Sequence, residues 1–369
     1  MSALRRRWPA EVVAAGLSLA EGRRRLIGKF PDADRLWADG EAAQQASSHT
    51  AARWKARRFA EAEGAGGAPT EDLCCGLGGD TMALVEARGR DAVLAIDRSD
   101  VRAWMAACNA GCPTLVGDVS ERRPSGLVHL DPARRDEERG ERRFAAEEIE
   151  PSLRACLAIA RAGRGAAIKL GPGLELPLVD APEAEVEFLS QRGTLVQAVV
   201  WLGVLNRHPG ERTATLLELG RSRSGMPGPV GRLAAPEDAA VGGWLLVPDP
   251  SLERSGLLGG LAAELGHGEL APGLGILATR QEAVAQAAAP WCTAYEILAR
   301  PRAREEDVAD ALRSLGAGGA RVRTRGKSAD ADTWTKALRL GGGDELDLFL
   351  LRAGDRRDAF VTRRGGGFA

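Results

Sequence analysis

The chain has 369 residues, 44% hydrophobic and 27% charged, with a formal net charge of −1. That length allows two or three domains with a sizeable core, and the composition excludes a disordered class. The neutral balance excludes the simplest route to nucleic acid, a strongly cationic chain, and no run of about 18 apolar residues is present to cross a membrane.

Residues 1–63 read as a helical segment. "PAEVVAAGLSLAEGRRRLIGKF" and "SSHTAARWKARRFAEAEG" place apolar residues at helical spacing, the second after a Ser/Thr start signal. The opening "MSALRRRWPAEVV" lacks a long apolar stretch and a small-residue cleavage site, so no secretory signal is expected. "GAGGAPT", residues 64–70, is a linker by composition.

From 69 to 223 short apolar runs alternate with helical stretches. The runs are "TEDLCCG", "AVLAIDR", "PTLVGDV", "GLVHLDPA" and "AAIKLGPG". Such alternation predicts an α/β domain, a parallel sheet with helices on both faces. "VEFLS", "LVQAVVWLG" and "TATLLELG" then read as a late, antiparallel-looking cluster. "SGMPGPVG" breaks the chain. Residues 232–290 read as a small connecting α/β region and 291–369 as a compact α+β unit. Within 299–327, eight basic residues stand against four acidic ones.

"EDLCCGLGGDT" follows an apolar strand start and precedes a helix. Gly76 and Gly78 can take positive φ and let a ligand approach the backbone, and ligands of open parallel sheets bind beyond the carboxyl ends of the strands. The series lacks the third glycine of a dinucleotide loop and the G-K-[ST] of a phosphate loop. The acid that opens it, Asp72, suits a cationic ligand better than a pyrophosphate. S-adenosylmethionine (SAM) carries a sulfonium and an ammonium group, so the loop favours SAM over a nicotinamide dinucleotide. Asp97 closes the next strand, where a carboxylate can accept both ribose hydroxyls. Asp118 closes the third, where it serves either an adenine amino group or a turn cap. Asp131 ends the fourth strand before Pro132, leaving one carboxylate and one free carbonyl to grip an amino or imino nitrogen. Methyl transfer to nitrogen needs in-line geometry more than a strong base.

These stretches, in this order, resemble a class I SAM-dependent methyltransferase. "DLCCGLGGDT" is similar to the loop of trimethylguanosine-synthase-type enzymes, and "HLDPARRD" resembles the D-P-P or D-P-A motif of nucleic-acid base methyltransferases. With "QASSHTAARWKARRFA", "VPDPSLERSGL" and "RVRTRGKSADADTWTKALRLGGGDE", the chain resembles a bacterial methyltransferase family that ends in a THUMP-like domain. The resemblance implies a Rossmann-like sheet over 69–223, a C-terminal module over 291–369 related to RNA-binding THUMP domains, and nucleic-acid methylation. Carried over, Asp72, Gly76 and Gly78 would line the methionine end of SAM, Asp97 the ribose and Asp118 the adenine, with Asp131 and Pro132 on the target side. The Asp-Pro-Ala-Arg form lacks the aromatic fourth residue that would stack on a flipped base. It also occurs in enzymes that methylate pyrimidine carbon through a cysteine, and no cysteine stands in a fitting loop here.

Other features have blander readings. Six cysteines (74, 75, 108, 112, 156, 292) and four scattered histidines show neither zinc nor disulfide spacing, which fits a reducing cytoplasm. Cys74 and Cys75 read as packing beside the cofactor, Cys108 and Cys112 as core, and Trp104 and Trp201 as core. Arg134, Arg135, Arg139, Arg142 and Arg143 form either a solvated loop or a phosphate-contacting lid beside Asp131. Lys169 is either structural or substrate-facing. The expected function is a cytoplasmic SAM-dependent methyltransferase acting on a nucleotide of RNA (tRNA or rRNA). The alternatives are an RNA-binding protein with a SAM pocket but little turnover, and a small-molecule methyltransferase.

Overall fold

The computed structural model describes residues 2–62, 69–134, 149–173, 181–338, 340–341 and 343–365, which fall into two compact units, Met1–Arg223 and Ser224–Ala369. In the first, a short helix α1 (Ser2–Arg5) leads into α2 (Ala10–Leu26), α3 (Gly40–Gln45) and α4 (His49–Glu61). The starts of α3 and α4 are set by side-chain caps: Asp39 accepts from Ala42 N at 2.8 Å and Ser48 from Ala51 N at 3.2 Å.

The alternating region then delivers β1 (Thr70–Leu73), α5 (Gly79–Arg88), β2 (Val93–Asp97), α6 (Asp100–Ala110), β3 (Thr114–Val116) and β4 (Leu127–Leu130). A two-residue pairing of β5 (Ala133–Arg134) with β6 (Ile149–Glu150) follows, then α7 (Leu153–Ala162) and β7 (Gly165–Leu170). The late cluster is β8 (Glu185–Gln191), β9 (Thr194–Gly203), β10 (Arg212–Leu216) and β11 (Arg221–Gly225). Nine strands form one sheet in the order β11-β10-β8-β9-β7-β4-β1-β2-β3. The Rossmann-like sheet read from the sequence is present. The late cluster is only partly antiparallel: β9 runs against β7 and β8, while β10 returns parallel to β8.

Helices cover both faces, so the central strands are buried on both sides and read as near-continuous apolar runs. Ile168, Val200 and Phe188 pack on one face with Leu157 and Ile159 of α7. Ala167, Val199 and Trp201 pack on the other with Ala52 and Phe59 of α4 and Leu84 of α5. The N-terminal segment is thus a layer of the domain. Arg58 fastens it: the guanidinium donates to Glu185 at 2.6 and 2.9 Å and to Glu187 at 3.2 Å, and lies 4.2 Å from the Trp201 ring centroid. Glu187 also accepts from the indole N–H groups of Trp54 and Trp201, both at 2.8 Å. Burial raises the Glu185 carboxyl, but Arg58 outweighs it and holds the group below the usual range.

The second unit holds β12 (Trp244–Pro248), α8 (Pro250–Ser255), α9 (Leu258–Leu265), β13 (Leu277–Thr279), α10 (Glu282–Ala288) and β14 (Cys292–Ala299). It continues through α11 (Glu305–Ser314), β15 (Gly319–Arg325), α12 (Ala331–Ala337), β16 (Glu345–Ala353) and β17 (Arg356–Arg364). Its sheet runs β13-β12-β14-β17-β16-β15. Residues 232–290, read from the sequence as a separate connecting region, supply two of these strands, because β12 pairs with β14 from Trp244↔Glu296 to Pro248↔Cys292. Among the described residues no helix is long and apolar enough to cross a membrane.

Candidate active site

The crevice of a doubly wound sheet opens where neighbouring strands lead in opposite directions. Here it lies between β1 and β4, since the chain steps outward from β1 through β2 to β3 and then returns to β4. Asp131 N donates to Leu73 O at 3.1 Å, which seats the Asp131–Pro132 step beside the loop that leaves β1.

That loop is a string of left-handed residues, with Cys74 at φ +61°, Gly76 at +57° and Gly78 at +86°. Gly76 N donates to Asp97 Oδ2 at 2.9 Å, and Ser99 N donates to Asp97 Oδ1 at 2.9 Å. Asp97 therefore ties the loop to β2 and keeps lone pairs for a further donor. A Cβ on Gly76 would meet nothing within 4 Å, whereas one on Gly78 would stand 2.9 Å from Ala106 Cα. Gly78 is needed for close packing on α6. Gly76 leaves an open approach to the backbone at the start of α5, where N–H groups face outward.

Asp72 is placed differently from the expectation that it lines the ligand. It is wholly buried, and its oxygens accept from Thr81 Oγ1 at 2.5 Å and from His129 Nδ1 at 2.7 Å. It braces the loop from beneath, because its strand ends one residue before the chain turns. Around it runs a polar cluster that sequence reasoning missed. Lys55 Nζ of α4 lies 2.8 Å from Asp80 Oδ1 and donates to Ser47 Oγ at 3.2 Å; Ser47 Oγ donates to Asp80 Oδ2 at 2.8 Å. His129 Nε2, 3.9 Å from Asp80 Oδ2, is buried without a hydrogen-bond partner among the described residues. Burial pushes the Asp80 carboxyl up, yet Lys55, with His129 and Lys169, holds it well below the usual range. Burial also lowers Lys55, against the pull of Asp80.

Just beyond the end of β4, Lys169 Nζ donates to Asp131 Oδ2 at 2.6 Å and to Gln45 O at 3.1 Å. The whole site carries four acidic side chains, Asp72, Asp80, Asp97 and Asp131, against Lys55 and Lys169. That excess suits a ligand of net positive charge such as SAM and disfavours a pyrophosphate. The open side of Gly76 and the spare acceptor capacity of Asp97 fit the same cofactor.

Residues 292–364 match a family model described as THUMP domain-like. An uncharacterized S-adenosylmethionine-dependent methyltransferase of Mycobacterium tuberculosis, found in two strains, is 29% identical over 358 residues, covering 92% of this chain and 93% of its own. A crystal structure from Porphyromonas gingivalis W83, provisionally assigned as a methyltransferase, superposes with a TM-score of 0.73 at 19% identity over 98% of this chain and 92% of its own. The fold is shared across both units. The chain is a SAM-dependent methyltransferase with a Rossmann-like sheet and a C-terminal THUMP-like domain.

Other features of the methyltransferase complete the picture. Asp118 is exposed and caps a turn, accepting from Ser120 N at 2.8 Å, which lowers its carboxyl. Cys75 is buried and Cys74 largely so, and burial raises both thiols far above the usual range. Two expected core residues are on the surface: Cys108 is exposed, and Trp104 is 49% exposed, stacked edge-on against Trp37 at 4.8 Å. Trp201 is buried as expected. Arg135, Arg139, Arg142 and Arg143 lie outside the described residues, as does the Arg134 side chain. Among the described residues no cluster of three or more His, Cys, Asp or Glu is placed to hold a metal.

In the THUMP-like domain most of the basic residues of 299–327 face acids. Arg300 pairs with Asp358, Arg313 with Asp310, Arg321 with Glu345, Arg323 with Asp347 and Arg325 with Glu253. Arg302, Arg304 and Lys327 are exposed, with no acidic partner among the described residues.

Proposed function

We propose that this methyltransferase transfers a methyl group to a nitrogen of an RNA nucleotide, and that the THUMP-like domain helps capture the RNA. The observation that carries the chemistry is the placement of Asp131. It follows β4 at the switch point, one oxygen is held by Lys169, and Oδ1 has no partner among the described residues. A free, fixed acceptor beside a backbone carbonyl can grip an N–H and aim the nitrogen lone pair.

The residues divide the work. Gly76 and Gly78 shape the loop that would receive the methionine end, with Asp72 bracing it through Thr81 and His129. Asp97 would accept from the ribose and Asp118 from the adenine amino group. When bound, SAM supplies an electrophilic methyl on a sulfonium. Asp131 and the Pro132 carbonyl orient the acceptor; orientation of this kind supplies a large part of a transfer barrier. The description of residues 292–364 as THUMP domain-like supports RNA as the polymer, and Arg302, Arg304 and Lys327 supply unpaired charge for phosphate.

Two measurements test this reading. Mass spectrometry of nucleosides from a strain lacking the gene should show one methylated nucleoside missing from RNA. Asp131→Ala should abolish labelled-methyl transfer while the SAM Kd stays within about threefold of wild type. Equal loss of transfer and SAM binding would remove the target-side role from Asp131. Truncation at residue 290 is a poor test of the C-terminal domain, because it would strip β14 from β12.

A further inference from the structure

Lys169 holds one oxygen of Asp131 and sits where the chemistry above is aimed. We propose that Lys169 is a positioning residue that locks Asp131 by one carboxylate oxygen, fixing the other as the acceptor for the nitrogen being methylated. This rests on the role given to Asp131 under the proposed function.

The register makes the pairing. β4 and β7 run parallel with Leu130 opposite Ile168. Asp131 and Lys169 are the next residues along each strand, so their side chains leave the sheet on the same side. The Nζ–Oδ2 distance is 2.6 Å, and the side chains are 11% exposed for Lys169 and 30% for Asp131. The lysine is the inner, anchored member and the carboxylate the accessible one.

Lys169 is itself held from a second direction. Its Nζ donates to Gln45 O, in the last turn of α3, at 3.1 Å. Lys29 takes the neighbouring carbonyls, Ala43 O at 2.8 Å, Gln44 O at 2.9 Å and Ala46 O at 3.1 Å. Two lysines therefore satisfy the carbonyl end of this helix, where positive charge is favoured. A lysine on a four-carbon stem is ordinarily mobile; one tied to a helix end and a carboxylate is not.

The pair also restricts the chemistry. Burial opposes the charge on Lys169, but Asp131 and Asp80 outweigh it and hold the ammonium above its usual range. Lys169 therefore stays protonated at neutral pH and is no base.

The test uses the full-length protein, labelled SAM and total RNA from a strain lacking the gene. Lys169→Met should lower kcat at least about 100-fold, the scale of a 1 Å misplacement, with the SAM Kd and the KM for RNA each within about threefold. Lys169→Arg should recover at least about tenfold of that loss by keeping the charge on Asp131. Lys169→Gln replaces Lys169→Met if the latter melts below assay temperature, with the same loss expected. Wild-type turnover in the neutral variant, or a parallel fall in SAM affinity, overturns the positioning role. Asp131→Asn run alongside separates the two ideas: if it turns over normally, the reading of Asp131 fails; if it is dead while Lys169→Met is normal, only the present inference fails.

One readout needs no acceptor. The chain has five lysines, so in a 13Cε-lysine NMR spectrum Lys169 is assigned by its absence in Lys169→Met. Its titration midpoint should fall by about one unit or more in Asp131→Asn, as for removal of an opposite charge at contact distance. An unmoved midpoint overturns the pairing.

Discussion

Replacing Lys55 by methionine removes the one cation in contact with Asp80 and keeps the volume of the stem. Asp80 would retain the Ser47 hydroxyl at 2.8 Å and His129 Nε2 at 3.9 Å, neither of which replaces a contact ammonium. Both partners are buried, with side-chain exposures of 2% and 9%. Breaking such a pair from one side leaves an uncompensated charge and costs about 3–5 kcal/mol. For a domain of this size that is a melting shift on the order of 10 °C. The assay is a double-mutant cycle by thermal and urea unfolding of wild type, Lys55→Met, Asp80→Asn and the double variant, with SAM affinity measured by calorimetry on each. The double variant should recover most of the stability lost in Lys55→Met, because no stranded carboxylate remains. SAM affinity should fall in Lys55→Met, since Asp80 sits in the first turn of the helix that follows the cofactor loop. A Lys55→Met melt within about 2 °C of wild type, or simple additivity in the cycle, would refute the argument.

Three further outcomes follow from the site. Gly78→Ala should destabilise by about 1–3 kcal/mol because it adds a side chain at φ +86° against Ala106; Gly76→Ala should cost less stability and more SAM affinity, both read by calorimetry. Asp80 titrates below its unfolded value of about 3.9, so its stabilising contribution is full above that pH and is lost as pH falls through the folded value. The stability gap between wild type and Asp80→Asn should therefore be constant above about pH 4 and narrow steadily as pH falls below it in urea titrations. Reversing Arg302, Arg304 and Lys327 to glutamate should weaken binding of total cellular RNA and reduce its salt slope by about one per lost contact, with the SAM Kd unchanged; an unchanged salt slope would remove these residues from the RNA surface.

Much of this architecture is legible in the residue pattern, because strands buried on both faces write themselves as short apolar runs and Gly76 and Gly78 mark a turn that takes positive φ. Gly76, Gly78 and Asp97, proposed for the cofactor, and Asp131, proposed for the target, stand out in the sequence for the same reason: each closes or follows a strand or forms the turn after it. The buried cluster does not. Ser47, Lys55, Asp80 and His129 come from separate elements, and a lone lysine among arginines in an amphipathic helix reads as a solvated face. One signal was there. Of the five lysines in this arginine-rich chain, Lys29, Lys55 and Lys169 all lie at the site, where a compact point charge fits and a planar fork does not. Trp104 and Cys108 were misplaced because their helix packs through Ala103 and Ala106, and small residues carry little weight in an apolar pattern. The pairing of β12 with β14 across residue 290 was not legible, because it is set by register, to which composition is blind.

The α4 layer also sets a timetable. Its cation Arg58 is emitted by the ribosome 127 residues before Glu185 and 129 before Glu187. At a synthesis rate of about 5–20 residues per second, that is a wait of roughly 6–25 s. Through that interval the guanidinium lacks both of its carboxylate partners and the Trp201 ring, because β8 and β9 do not yet exist. The cation that fastens α4 is thus made first and paired late, once the final strands of the sheet have emerged.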